Sequence, residues 1–234
     1  MNRITVICIV EGQTENAFLK ILVAPYLGSL GIDFYAPIVG VGSGKGGVKY
    51  LRAEKLYGQI HKHLLDPRQP FVTMFFDYYA FPSGESKGWG FVDKIKSEAN
   101  FRSAEFIVKK IEEELKRQAL EKCSISNAAI RFLPYLQLYE MEALYFSDPE
   151  LLAETFGDPS LEKTFYSIVQ DCKGCEHIND NPVTAPSKRI QSLYSGYKKG
   201  RSDMAHAPRI AQRIKLDKVR SKCPRFNQWL EKLE

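Results

Sequence analysis

A chain of 234 residues, 44% hydrophobic and 26% charged, has the composition of a soluble globular protein that can bury a full core, as one large domain or one domain with an appended subdomain. No stretch approaches the ~18 consecutive apolar residues of a membrane span, and the opening residues run into an apolar strand without a leader pattern, so a cytoplasmic protein with no membrane partner is expected. The net charge of +5 hides an asymmetry: from Pro186 onward 13 Lys and Arg stand against 4 Asp and Glu, leaving 20 against 24 before it, a division that suits a polyanionic partner.

In chain order, the first 140 residues alternate strand-like and helix-like patterns. Strands are expected at 3–10, 33–39, 70–76 and 130–138, each apolar and rich in Val, Ile, Phe or Tyr, with helices at 14–29, 50–65 and 101–122. That alternation predicts an α/β fold, a mostly parallel sheet of about four strands with right-handed crossovers. Helix 101–122 sets Phe101, Phe106, Val108, Ile111 and Leu115 near a 3.6-residue period, as a helix covering one sheet face would. The aromatic and glycine-rich stretch from Tyr78 to Gly90 reads as a long loop over the strand ends. Beyond residue 140 strand signals fade, and helical segments are expected at 140–147, 149–156, 160–170, 186–194, 207–213 and 225–233, with a short turn at Asp217 to Arg220. The expected plan is an α/β domain over 1–147 and a helical, basic region over 148–234 packed on it.

The strands end on acids. Ile4-Thr-Val-Ile-Cys-Ile-Val10 stops at Glu11-Gly12, and Phe71-Val-Thr-Met-Phe-Phe76 stops at Asp77. Ligands of open α/β sheets bind beyond the carboxyl ends of strands, and carboxylates gathered there suit a hard cation such as Mg²⁺ or Mn²⁺. Glu15 lies four residues after Glu11, within reach of the same end and also favoured by the dipole of a first helical turn. Glu140 and Glu142 follow the fourth strand; on a helix starting near Tyr139 they would point roughly 200° apart, so one of the two is expected to face inward.

Gly40-Val-Gly-Ser-Gly-Lys-Gly-Gly47 lacks the spacing of an ATP-binding loop, leaving Lys45 as a candidate phosphate contact. Thr184-Ala-Pro-Ser-Lys-Arg-Ile190 reads as a helix start that could seat a phosphate on free N–H groups, with Lys188 and Arg189 beside it and Lys198, Lys199, Arg201 and His206 downstream. Cys172 and Cys175 have the spacing of a zinc or redox pair but, for zinc, only His177 nearby, so a loop with two thiols is expected. Five scattered cysteines argue against a secreted disulfide framework.

Val10-Glu-Gly-Gln-Thr-Glu15 followed by Asp77 resembles the Toprim fold, the Rossmann-like metal-dependent module of topoisomerases, bacterial primases and OLD-type nucleases. More closely, these segments with Thr73–Tyr79, Gln137–Leu144, Ala185–Ile190 and Cys223–Leu233 resemble the bacterial family catalogued as domain of unknown function 4276. The Toprim resemblance implies Glu11 as metal ligand or general acid/base, Glu15 as an assisting glutamate, Asp77 as the first acid of an Asp-x-Asp motif, and Glu142 with Glu140 as the glutamate after the last core strand. Tyr79 stands where that motif has its second acid. The expectation is a Mg²⁺-dependent nuclease or nuclease subunit acting on nucleic acid, DNA first, in phage defence beside a separate ATPase and as a homo-oligomer. The alternatives are a non-catalytic nucleic-acid or partner-binding module on a degenerate Toprim scaffold, and phosphoryl transfer on a small nucleotide.

Overall fold

The structure, a computed structural model, describes residues 3–40, 50–99, 102–121, 125, 127–179, 181, 183–199 and 203–234. Two compact units divide the chain: the first holds Met1–Gly12 and Gly31–Leu136, the second Gln13–Leu30 and Gln137–Glu234. The division therefore does not fall at a single point near residue 147, because the first two helices join the C-terminal residues.

The first unit carries a five-stranded sheet: β1 (Ile4–Val10), β2 (Ile32–Tyr35), β3 (Phe71–Asp77), β4 (Phe132–Leu133), and β5 (Leu136–Gln137) at the unit boundary. Its order β2-β1-β3-β4 is parallel, with Ile4 beside Ile32, Val10 beside Phe75 and Val72 beside Phe132. β1 and β3 are the inner strands and are buried almost throughout, which is why both read as continuous apolar runs rather than as alternation.

Prolines shorten the other expected strands. Pro37 has no N–H and restricts Ala36, so regular pairing ends at Tyr35, although the backbone still follows β1 through Val10 N–H to Pro37 O at 2.9 Å and Val39 N–H to Val10 O at 2.8 Å. Pro134 likewise splits the run expected at 130–138 into β4 and β5, and Ala128–Arg131 forms a short helix before them.

The described residues of this unit also form α3 (Ala53–Leu64), a 3₁₀ turn over Glu85–Lys87, α4 (Gly90–Glu98), α5 (Ala104–Glu121) and α6 (Ala128–Arg131). α5 buries Val108, Ile111, Leu115 and Ala119, while Phe106 is exposed, so the apolar stripe is narrower than its periodicity suggests. The stretch after Asp77 is no open loop: Tyr78 and Phe81 are buried, and fully buried Trp89 donates Nε1–H to Leu51 O at 2.7 Å. Buried Arg131 donates to Leu64 O at 2.9 Å, Pro70 O at 3.2 Å and Asn127 Oδ1 at 2.9 Å, closing the C-terminal end of α3.

The second unit is helical. It opens with α1 (Gln13–Leu22) and α2 (Ala24–Ser29), where one helix over 14–29 was expected; Pro25 cannot continue the hydrogen-bond ladder and starts a new helix instead. The unit continues with a 3₁₀ segment Met141–Ser147, then α7 (Pro149–Thr155), α8 (Glu162–Asp171), α9 (Pro186–Leu193), α10 (Asp203–Arg213), α11 (Leu216–Lys222) and α12 (Pro224–Glu231). Every residue of Met141–Ser147 is buried, and it packs against α7, α8, α9 and α11. Phe18 of α1 meets Tyr145 with ring centroids 5.6 Å apart, α1 packs along α10, and Arg220 Nη1 donates to the Tyr26 hydroxyl at 2.7 Å. Those contacts tie residues 13–30 to the C-terminal part. Among the described residues, no helix is long and apolar enough to cross a membrane.

Candidate functional site

β1 and β3 are adjacent and parallel, so their carboxyl ends lie at one edge of the sheet. Val10 is paired with Phe75; Glu11 follows Val10 directly, and Asp77 closes β3 one register step further on. Strand spacing and rise put their Cα atoms about 6 Å apart. Asp77 is only 1% exposed, whereas Glu11 is half-buried and Tyr79, in the place of a second acid, is exposed. These are the two strand-end acids that the sequence offers as a cation site.

The remaining candidate acids belong to the second unit. Glu15 is buried in the first turn of α1. Glu140 and Glu142 are both almost fully buried, at 2% and 1% exposure, so the expectation that just one faces inward is incorrect. Its premise fails because no helix begins at Tyr139. That residue has φ +63°, a left-handed conformation that glycine ordinarily takes, Glu140 is extended at φ −140° and ψ 151°, and the tighter 3₁₀ segment begins only at Met141.

Lys199 joins the two glutamates. Its Nζ donates to Glu140 Oε1 and Glu142 Oε2, both at 3.1 Å. Glu140 also accepts Ser187 N–H on Oε2 at 2.8 Å and Ser187 Oγ–H on Oε1 at 3.1 Å. Glu142 Oε1 accepts the Tyr197 hydroxyl at 3.0 Å. The N-terminus of α9, expected to seat a phosphate, thus receives the carboxylate of Glu140.

The basic candidates are spread out. Lys188 is exposed and its Nζ reaches Gln191 Oε1 at 3.4 Å; Arg189 is half-buried, donating from Nε to Thr184 O at 2.9 Å; Lys198 is exposed. His206 is buried against the rings of Phe156, Tyr194 and Tyr197, with centroids 5.3, 5.8 and 5.9 Å away, and its Nδ1 has no hydrogen-bond partner among the described residues. Burial first, and the charge of Arg209 second, hold its pKa below the usual histidine value, so it offers no surface cation to a phosphate. Lys45 lies outside the described residues.

Two strand-end carboxylates fit Mg²⁺, which takes one or two protein carboxylates and completes its shell with water and substrate phosphate. Glu140 and Glu142 do not fit it as they stand, since protein donors meet all four of their oxygens. Among the described residues no group of three or more His, Cys, Asp or Glu side chains is disposed to hold a metal ion. Cys175 hydrogen-bonds with Cys223, which together with burial pushes the Cys223 thiol well up, and Cys172 lies 3.8 Å from Arg189 Nη2.

A family model described as Domain of unknown function (DUF4276) matches residues 10–234. The chain belongs to that family. No curated protein and no solved structure matches it.

In this DUF4276 chain the sequence reading missed the roles of Ser187, Tyr197 and Glu176. Glu176, 2% exposed, accepts N–H from Arg225 at 2.9 Å and Phe226 at 3.0 Å, capping α12 as Glu140 caps α9. One signal could have found both. Each helix opens on proline after a residue without a capping oxygen, Ala185 or Cys223, so its free N–H groups need an acceptor from elsewhere in the chain.

Proposed function

We propose that this protein is a Mg²⁺- or Mn²⁺-dependent phosphodiesterase of nuclease type, with Glu11 and Asp77 as the carboxylates that hold the ion. The observation that carries this reading is their position at the carboxyl ends of two adjacent parallel strands, where α/β sheets bind ligands. When bound there, the ion would supply charge stabilisation at a phosphoryl oxygen and an acidified water. The side chains have separate parts. Buried Asp77 is fixed by its strand and orients the ion, while half-buried Glu11 can take a proton at its carboxylate. The surplus of Lys and Arg after Pro186 favours a polyanionic substrate, and the resemblance to Toprim nucleases adds DNA as target and a separate ATPase as partner, in phage defence.

Purified protein incubated with supercoiled plasmid and with single-stranded DNA, in Mg²⁺, Mn²⁺ or EDTA, tests the reading. Cleavage that needs the metal and disappears in Glu11→Gln and Asp77→Asn is the expected result; cleavage that persists in both variants rejects it.

A second reading is favoured by two observations: Tyr79 replaces an acid, and Glu140 and Glu142 are engaged by protein donors. It is a non-catalytic nucleic-acid-binding module. Metal-independent DNA binding with no cleavage in any lane selects it.

A further inference from the structure

Around Glu140 three donors converge from different parts of the second unit. Ser187 N–H comes from the first turn of α9, Ser187 Oγ from the same residue, and Lys199 Nζ from the segment after α9. A helix N-terminus, a hydroxyl and an ammonium form the donor set of an oxyanion site. Its acceptor and its α9 donors are enclosed, Ser187 at 3% and Glu140 at 2% exposure, while the Lys199 side chain is partly exposed. We propose that this is a built oxyanion seat whose resident ligand is the side chain of Glu140, and that Glu140, Lys199 and Glu142 form a latch joining the 3₁₀ segment to α9 and to residues 197–199.

The latch has a clear division of charge. Lys199 is the ammonium shared by two carboxylates, and the excess negative charge is met by dipoles, the α9 N–H and Ser187 Oγ–H at Glu140 and the Tyr197 hydroxyl at Glu142. The turn at Tyr139, with φ +63°, delivers Glu140 to this seat, and a non-glycine residue holds such a conformation only where its surroundings fix it. The two glutamates are therefore structural counter-ions, and the seat takes planar monoanions of carboxylate size. This assignment stands apart from the strand-end acids and from any activity they carry.

Removal of the resident ligand tests it. In Glu140→Ala the donors remain and the carboxylate is gone, so the melting temperature should fall by about 2–12 °C, as for buried donors left without their acceptor in a chain of this size. Formate, the smallest carboxylate, should restore part of that loss saturably, while chloride at equal ionic strength does not and the wild type responds equally to the two salts. Adding Lys199→Met should abolish the formate effect. If Glu140→Ala does not fold in chloride, refolding from urea in formate against chloride gives the same comparison. A folded Glu140→Ala protein that melts with the wild type, or that formate raises or refolds no better than chloride, overturns the proposal. So does a tenfold loss of Mn²⁺ affinity in a folded Glu142→Gln variant, because Glu142 would then be a metal ligand.

Discussion

The carboxylate of Glu176 receives the N–H groups of Arg225 and Phe226 at 2.9 and 3.0 Å, so the first turn of α12 is closed by a residue about 50 positions upstream. Desolvation is the largest influence on Glu176 and raises its pKa, against the two N–H groups that favour the ionised form. Glu176→Ala removes both acceptors and should cost about 1–3 kcal/mol, read by urea unfolding. Glu176→Gln retains one acceptor oxygen and should cost less. Equal stability of wild type and Glu176→Ala would show that the cap contributes nothing.

Lys199 and Glu142 should be thermodynamically coupled. Lys199→Met leaves Glu140 and Glu142 without their shared ammonium and should destabilise, Glu142→Gln keeps the Lys199–Glu140 pair and should cost less, and the double variant should lose less than the sum. A coupling of about 1–3 kcal/mol in a double-mutant cycle is the expected value. Additive losses would mean that the 3.1 Å ion pair has no energetic consequence.

Tyr79 is the natural place to test the strand-end acids. It is exposed, so Tyr79→Asp should leave folding intact and add a third carboxylate two residues after Asp77. Mn²⁺ affinity, followed by loss of the free-ion paramagnetic resonance signal, should rise at least severalfold. An unchanged affinity would argue against an ion at these strand ends.

Lys188 is exposed, whereas Arg189 holds the backbone of Thr184, so the two basic residues should part company. Lys188→Ala should weaken DNA binding alike for all sequences and lower the salt slope by about 1, without a change in melting temperature. Arg189→Ala should lower stability. Unaltered DNA affinity in Lys188→Ala removes that residue from the interface.

His206 gives a pH dependence whose sign is fixed by its surroundings. Its pKa is depressed in the folded protein by burial and by Arg209, so below ~6.5 the unfolded chain takes up a proton that the folded chain refuses. Stability should fall as pH is lowered through that value, and the decline from this residue should level off once the pH is below the folded pKa. His206→Phe, which fits the ring cluster of Phe156, Tyr194 and Tyr197, should remove that part of the slope. An identical pH profile in the variant would refute the assignment.

The inner strands were legible because burial on both faces writes itself as an unbroken apolar run, and their final acids as a break in it. Prolines 25, 37 and 134 account for most boundary differences, since each removes an N–H that a longer helix or strand would use. What the sequence concealed is which partners the polar groups choose. The pattern around Ala185-Pro186-Ser187 shows a helix start with free donors, but an internal glutamate and an external phosphate satisfy them equally well by type. Only tertiary placement, through the turn at Tyr139, selects Glu140. His206 misled for a related reason: a histidine in a basic stretch looks like a surface cation until three rings are found around it.

The alliance of α1 and α2 with the end of the chain sets a schedule for synthesis. The hydroxyl of Tyr26 meets Arg220 across 194 positions and donates to Glu234 across 208, and the apolar face of α1 rests on α10. A nascent chain leaving the ribosome therefore carries Phe18 and Leu19, both fully enclosed in the folded protein, without their cover until α10 has been made. Loss of α10 would uncover α1, so a truncation ahead of residue 203 should be felt at residues 13–22, as an apolar surface offered to chaperones and proteases.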